Sequence, residues 1–152
     1  MAALTIAELR RAIAERLETI DGWWEAPTPY DVFGPGGVPD AAPATKVHAF
    51  AVGVPSTSDF GNRQRRVDGA LARSQVRVRF LSRHTPGPTV GLQSQDTASD
   101  AEQTAIRTLL DSSWLGSREV AIVLTGATRS LPAPGNWFSH QIELDAYHRY
   151  SL

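Results

Sequence analysis

The sequence predicts an α+β domain: two amphipathic helices packed on one face of a mainly antiparallel four-stranded sheet, in the order α-β-β-α-β-β. Three observations predict it. Apolar residues recur at helical spacing in residues 4–20 and again around 101–110. The stretch Val47 to Leu81 holds two strand patterns joined by a polar excursion. A long alternating pattern runs from Trp137 to Tyr150.

The first helix opens at Thr5, a natural N-cap, with Glu8 three residues later to complete a capping box. Leu4 and Leu9 stand where a hydrophobic staple would place them. Ile6, Leu9, Ile13, Leu17 and Ile20 form one stripe, and Arg10, Arg11, Glu15 and Glu18 fall on the other side. Asp21-Gly22 stops the helix, with Gly22 suited to a left-handed cap. Residues 23–46 then read as an extended arm. Pro27, Pro29, Pro35, Pro39 and Pro43, with Gly34, Gly36 and Gly37, break regular structure, while Tyr30, Val32 and Phe33 argue for an arm resting on a surface.

The first strand is expected at 46–54, closed by Pro55, with His48, Phe50, Val52 and Val54 on the core and Ala49, Ala51 and Gly53 behind. Residues 55–73 form the excursion. The second strand, 74–82, alternates Val76, Val78 and Phe80 with Arg77 and Arg79, so one face is buried and the other is a row of guanidiniums. A second helix fits 96–111, with a capping box from Ser99 and Glu102, Asp96 and Asp100 at its positive end, and Ala101, Ala105, Ile106, Leu109 and Leu110 inward. The third strand, 119–125, is apolar on both faces and reads as central. The fourth, 137–150, puts Phe138, His140, Ile142, Leu144, Ala146, His148 and Tyr150 on one side and Glu143 and Asp145 on the other.

The 152 residues are one domain's worth and can bury a core of their own. Apolar content of 41% and charged content of 20% are ordinary for a globular chain. A net charge of −1 gives no global case for nucleic acid or an anionic membrane. The cations are nearly all arginine, Lys46 being the one lysine, which reflects either coding bias or enrichment at interfaces. The absence of cysteine excludes disulfides, thiolate nucleophiles and cysteine-ligated zinc. No apolar run approaches the roughly 20 residues of a membrane span, and the first residues do not read as a signal peptide.

Catalytic templates fail one after another. There is no GxSxG elbow and no P-loop, and Gly34-Pro35-Gly36-Gly37 lacks a strand before it and a helix after it. His140 and His148 share a strand face but lie about 26 Å apart, too far to share a metal. His48 and His140 are candidate cross-strand neighbours, read as sheet histidines bonded locally. Glu143 and Asp145 read as solvated or interfacial charge. The tract Arg63-Gln64-Arg65-Arg66 is a solvated loop, a subunit interface or a phosphate-tracking loop. Trp23, Trp24, Trp114 and Trp137 read as core and edge packing in preference to a ligand cage. No catalytic, cofactor-binding or metal residue is expected.

The order of elements, the strand His48-Ala49-Phe50-Ala51-Val52-Gly53-Val54, the excursion Asn62-Arg63-Gln64-Arg65-Arg66, the strand Val76-Arg77-Val78-Arg79-Phe80 and the ending Ala146-Tyr147-His148-Arg149-Tyr150 resemble the tail terminator (tail completion) proteins of tailed bacteriophages. The resemblance implies a structural virion protein without catalytic residues. It implies a homo-oligomeric ring, usually a hexamer, that caps the tail tube, stops its polymerisation and presents a surface to the head–tail connector or adaptor. DNA would pass through the lumen without specific binding, and assembly would take place in the host cytoplasm. Arg63, Arg65, Arg66, Arg77, Arg79, Tyr30 and Phe33 are then the candidate subunit or tube contacts. The alternatives are a head–tail adaptor or other neck component, a DNA-contacting module and a small-ligand-binding domain.

Overall fold

The computed structural model of the chain describes residues 3–26, 48–59, 70–83, 87–111, 120–133 and 137–151. Seven elements follow in the order α1 (Ile6–Glu18), β1 (Trp23–Glu25), β2 (His48–Asp59), β3 (Leu71–Arg83), α2 (Val90–Leu110), β4 (Ala121–Ala133) and β5 (Trp137–Arg149). The sheet has five strands in the spatial order β1-β2-β3-β5-β4. The α+β class with two helices stands, but the four-stranded sheet and the order α-β-β-α-β-β are corrected.

The extra strand is Trp23-Trp24-Glu25, which pairs parallel with β2 and makes the sheet mixed. It lies at the start of the expected arm. Aromatic side chains favour a pleated, half-buried surface, and alternation sends the two tryptophans to opposite faces. Trp23 joins the main core at 5% exposure, while Trp24 packs on Ala26, Ala49, Ala51 and Leu81 behind the sheet. The small side chains of Ala49 and Ala51 on β2 (His48–Asp59) leave room for the indole there. The rest of the arm, at 27–47, lies outside the described residues.

α1 forms as its sequence dictates. Thr5 Oγ1 accepts from Glu8 N at 3.2 Å and Glu8 Oε2 accepts from Thr5 N at 2.8 Å, closing the capping box. Leu9, Ile13 and Leu17 are buried, Ile20 packs against the core, and Gly22 takes φ 81° after the helix. Leu4 bridges to Tyr150 in parallel, so the two ends of the described chain meet at the sheet.

β2 does not stop at Pro55. The register jumps from Gly53↔Arg77 to Ser56↔Gln75, a bulge that holds Pro55. A proline has no N–H for the ladder and is tolerated where pairing is interrupted. The strand therefore runs on to Asp59, β3 begins at Leu71, and the expected excursion 55–73 shrinks to 60–69, outside the described residues. Beyond the bulge the faces exchange: Phe50 and Val52 face the core before it, and Thr57 meets Ser74 on the core side after it.

α2 begins at Val90, six residues before the expected start. Ser99 and Glu102 therefore lie inside it and form no capping box. Ser99 Oγ donates to Gln95 O at 3.0 Å, and the Glu102 side chain turns inward at 1% exposure. Asp96 and Asp100 are likewise interior, and no acidic residue sits in the first turn. Ala105 and Leu109 are buried with Ala101 and Ile106 against the core, but Leu110 is exposed. Arg16 ties the helices together through Thr108 O (3.2 Å) and Asp111 (3.5 Å).

β4 is at an edge of the sheet, not its centre. Val123 and Leu124 are 49% and 38% exposed. An apolar run distinguishes neither burial nor position, because both depend on which strand lies alongside. β5, by contrast, lies between β3 and β4 and alternates as expected: Phe138, His140, Ile142, Leu144, Ala146 and His148 are all buried.

Candidate functional site

Two polar assemblies sit on the core side of β5, and one charged surface lies on its other side. At one end, His148 Nε2 and Ser74 Oγ are 2.7 Å apart, and Ser74 Oγ and Thr57 Oγ1 are 2.8 Å apart. His148 Nδ1 lies 3.1 Å from the Arg149 carbonyl, which only accepts, so Nδ1 carries the proton. Nε2 then accepts from Ser74, and Ser74 accepts from Thr57. Both ring nitrogens of buried His148 are thus engaged.

At the other end, Glu102 of α2 reaches down to β4 and β5. Its Oε1 is 3.2 Å from His140 Nδ1, and its Oε2 accepts from Arg129 Nε at 2.8 Å and from Arg129 Nη2. Glu102 and His140 are each 1% exposed. The His140 ring stacks on Phe80 at 4.2 Å between centroids and 6° between planes. Burial pushes the His140 pKa down from its ordinary value, against the opposing pull of the Glu102 hydrogen bond and charge. The ring is therefore neutral with Nδ1–H directed at the carboxylate, and Nε2 is an acceptor. No described group reaches Nε2.

Arg129 arrives on the helix side of the sheet because of a second bulge. The register jumps from Leu124↔Leu144 to Gly126↔Glu143, which exchanges the faces of β4 and sets Arg129 opposite His140. Beside it a pocket of about 230 Å³ opens between α2 and the β4–β5 pair, with Ala98, Phe138 and His140 as walls and Gln95, Arg129 and Ser130 around them.

His48 and His140 are not cross-strand neighbours. β3 runs between their strands, and Phe80 lies between the rings, T-shaped to His48 at 6.2 Å. His48 Nδ1 donates to Leu81 O at 3.3 Å, and its pKa is also lowered by burial.

On the outer face, Arg73, Gln75, Arg77 and Arg79 of β3 lie opposite Tyr147, Asp145, Glu143 and Gln141 of β5. A cationic row thus runs beside an acidic one. Arg77 Nη2 is 3.5 Å from Glu143, Arg79 Nε donates to Gln141 at 2.9 Å, and Gln141 Nε2 donates to Glu143 at 2.9 Å. Exposed Ser56 and Ser58, aimed outward by the first bulge, line a polar cleft of about 380 Å³ with Arg73, Asp145 and Glu143. Of the residues singled out from sequence, Arg77 and Arg79 share this face. Arg63, Arg65, Arg66, Tyr30 and Phe33 lie outside the described residues, as do His84 and Trp114.

The Glu102–His140–Arg129 assembly was missed because Glu102 read as a helix cap. A glutamate one turn from Ala98 and Ala105 on a buried stripe was the available signal. Among the described residues no cluster of three or more histidine and acidic groups has metal-binding geometry. No described helix is long and apolar enough to cross a membrane.

No family model matches the chain, and no curated protein does. Among solved structures it is similar to a chain from the sheath/tube terminator of an extracellular contractile injection system (PVC) in its extended state. Identity is 9% and the TM-score 0.35, over 100% of this chain and 58% of that one. A likeness at that level assigns neither family nor function.

Proposed function

We propose that this chain is a tail-terminator-like structural protein without catalytic activity, which forms a ring on the end of a tail tube. In that role it ends tube growth and presents its far side to a head–tail connector. The observation that carries the reading is the outer sheet face, where Arg73, Arg77 and Arg79 run alongside Glu143 and Asp145. Rows of opposite sign complement the rows of another copy, or of a tube subunit with a similar face. The two signs together also make a poor phosphate track, which weighs against the DNA-contacting alternative. The β4 edge supports the same reading. Its stretch Ala121 to Thr125, exposed except for partly buried Ile122, bears no charge, whereas monomeric proteins commonly protect such edges with charges or covers. A head-to-tail contact that closes on itself would produce the ring, with six subunits the number that the family resemblance implies.

The test is negative-stain imaging and mass measurement of the purified protein, alone and with tube protein from the same genome. Rings, or caps that limit tube length, are expected. A persistent monomer that leaves tube length unchanged would sink the reading. Within it, charge reversal at Arg63, Arg65 and Arg66 together, and separately at Arg77 and Arg79, should abolish capping while the monomer stays folded. Capping that survives both sets would remove these arginines from the interface.

A further inference from the structure

We propose that the outer sheet face pairs with the same face of a second copy, across a two-fold axis parallel to β3 and β5, to give a dimer of the free protein. The inference rests on the reading above that this face is an assembly surface. It follows from the register. Arg77 lies opposite Glu143, Gln75 opposite Asp145, Arg79 opposite Gln141 and Arg73 opposite Tyr147. A half-turn about an axis along the strands, placed over the gap between them, carries β3 of one copy onto β5 of the other at unchanged height. Each β3 residue then stands over the residue type that it already neighbours in its own sheet. Arg77 of each copy faces Glu143 of the other. An axis across the strands would instead set β3 over β3, arginine against arginine. The axis along the strands makes the two rows their own complement, as a self-matching two-fold contact requires.

The charges within one chain support the same pairing. Arg77 Nη2 is 3.5 Å from Glu143, yet the two side chains stay 27% and 34% exposed. A second copy would close four alternating charges around the axis. Arg73 and Asp145 both line the polar cleft, and among the described residues neither has an ion pair. They sit on adjacent strands one diagonal step apart. The pairing brings Arg73 of one copy over Tyr147 of the other, within an arginine's reach of Asp145. Facing sheets lie about 10 Å apart, a gap that an arginine from one and a carboxylate from the other can fill. Aligned sheets cross at about 30°, so the match is closest at Arg77 and Glu143 and loosens toward the ends. The flanking strands present Ser56, Ser58 and Thr125, too short to hold the faces apart. From Arg73 to Arg79 the strip is about 23 Å long, and four strands are about 19 Å wide. That covers roughly 900 Å² over both copies, the range of transient complexes. The dimer is thus weak, and a ring contact on the same face would replace it.

The test is sedimentation velocity of the full chain between about 10 μM and about 1 mM, without tube protein. A monomer–dimer equilibrium is expected with Kd on the order of 0.1 mM, weakened severalfold by added salt. Arg77→Glu sets acid over acid, and Glu143→Arg sets base over base. Each should weaken self-association by about tenfold or more. Mixed in equal amounts, the two variants should form a heterodimer at least as tight as the wild type, since one copy then brings two acids to the axis and the other two bases. The double variant Arg77→Glu, Glu143→Arg should dimerise like the wild type, which separates lost pairing from lost folding. A monomer throughout, single variants that dimerise like the wild type, or a mixture and a double variant that both stay monomeric would overturn the proposal. Species larger than a dimer would overturn it too, by assigning the face to a head-to-tail contact. Tube capping is measured on the same samples. Caps without a dimer would remove the two-fold pair alone, and a dimer without caps would remove the terminator reading alone.

Discussion

His140 and His148 stand on the same face of the same strand, equally buried, and do opposite things with their nitrogens. His148 engages both ring nitrogens, one with Ser74, which in turn bonds Thr57, and one with the Arg149 carbonyl. His140 spends one nitrogen on a carboxylate that also holds an arginine, and keeps the other uncommitted among the described groups. The difference teaches that burial alone does not assign a role to a polar residue. One network uses both ring nitrogens, whereas the other leaves a buried acceptor without a described partner.

The comparison can be broken from its foundation. Phe80→Ala removes the ring on which His140 stacks and a side chain packed beside Trp23, and should cost about 3–5 kcal/mol in urea unfolding. A loss under about 1 kcal/mol would mean that the aromatic stack contributes little. Glu102→Ala strips His140 Nδ1–H of its acceptor and should cost about 2 kcal/mol. The loss stays below that of a fully buried ion pair because Arg129 is 56% exposed and returns to water. Ser74→Ala cuts the His148 network at its middle and should cost about 1–2 kcal/mol in urea unfolding.

The pH dependence separates the open network further. Burial lowers the folded-state pKa of both His140 and His48 below the ordinary 6.5. The unfolded chain therefore takes up protons first. This contribution to stability is fully present above pH 6.5 and is lost as the pH falls from there through the folded-state values. The urea midpoint of the wild type should drop between pH 7.5 and 5.5 by more than that of His140→Gln, whose amide still donates to Glu102. Identical slopes would show that His140 does not contribute. The smallest effect belongs to the outer face. Arg77→Ala breaks a partly exposed ion pair and should change monomer stability by about 0.5 kcal/mol or less, so a large loss of assembly in that variant would report on the interface alone.

Much of the core was legible because it follows from period and chemistry within a few residues. The capping box and stripe of α1, and the alternation of β3 and β5, need only neighbours in sequence. The third β-strand pattern misled, since Val120 to Leu124 carries no sign of which strand lies beside it. The sites were less legible still. Glu102 becomes a buried ligand of His140 only when α2 starts at Val90, and Arg129 joins them only when a bulge exchanges the faces of β4.

By itself the sequence determined the α+β class, the faces of the long strands and the lack of cysteine chemistry, since these follow from composition and from side-chain direction along a helix or strand. Tertiary structure alone decided the five-stranded order with a parallel edge, the exposure of β4 and the two histidine networks. The strand order and the edge position of β4 depend on pairings between distant segments, and the two networks depend also on the bulges at Gly53–Ser56 and Leu124–Gly126. Each inserts one residue into a pairing, and one residue is enough to send every later side chain to the opposite face.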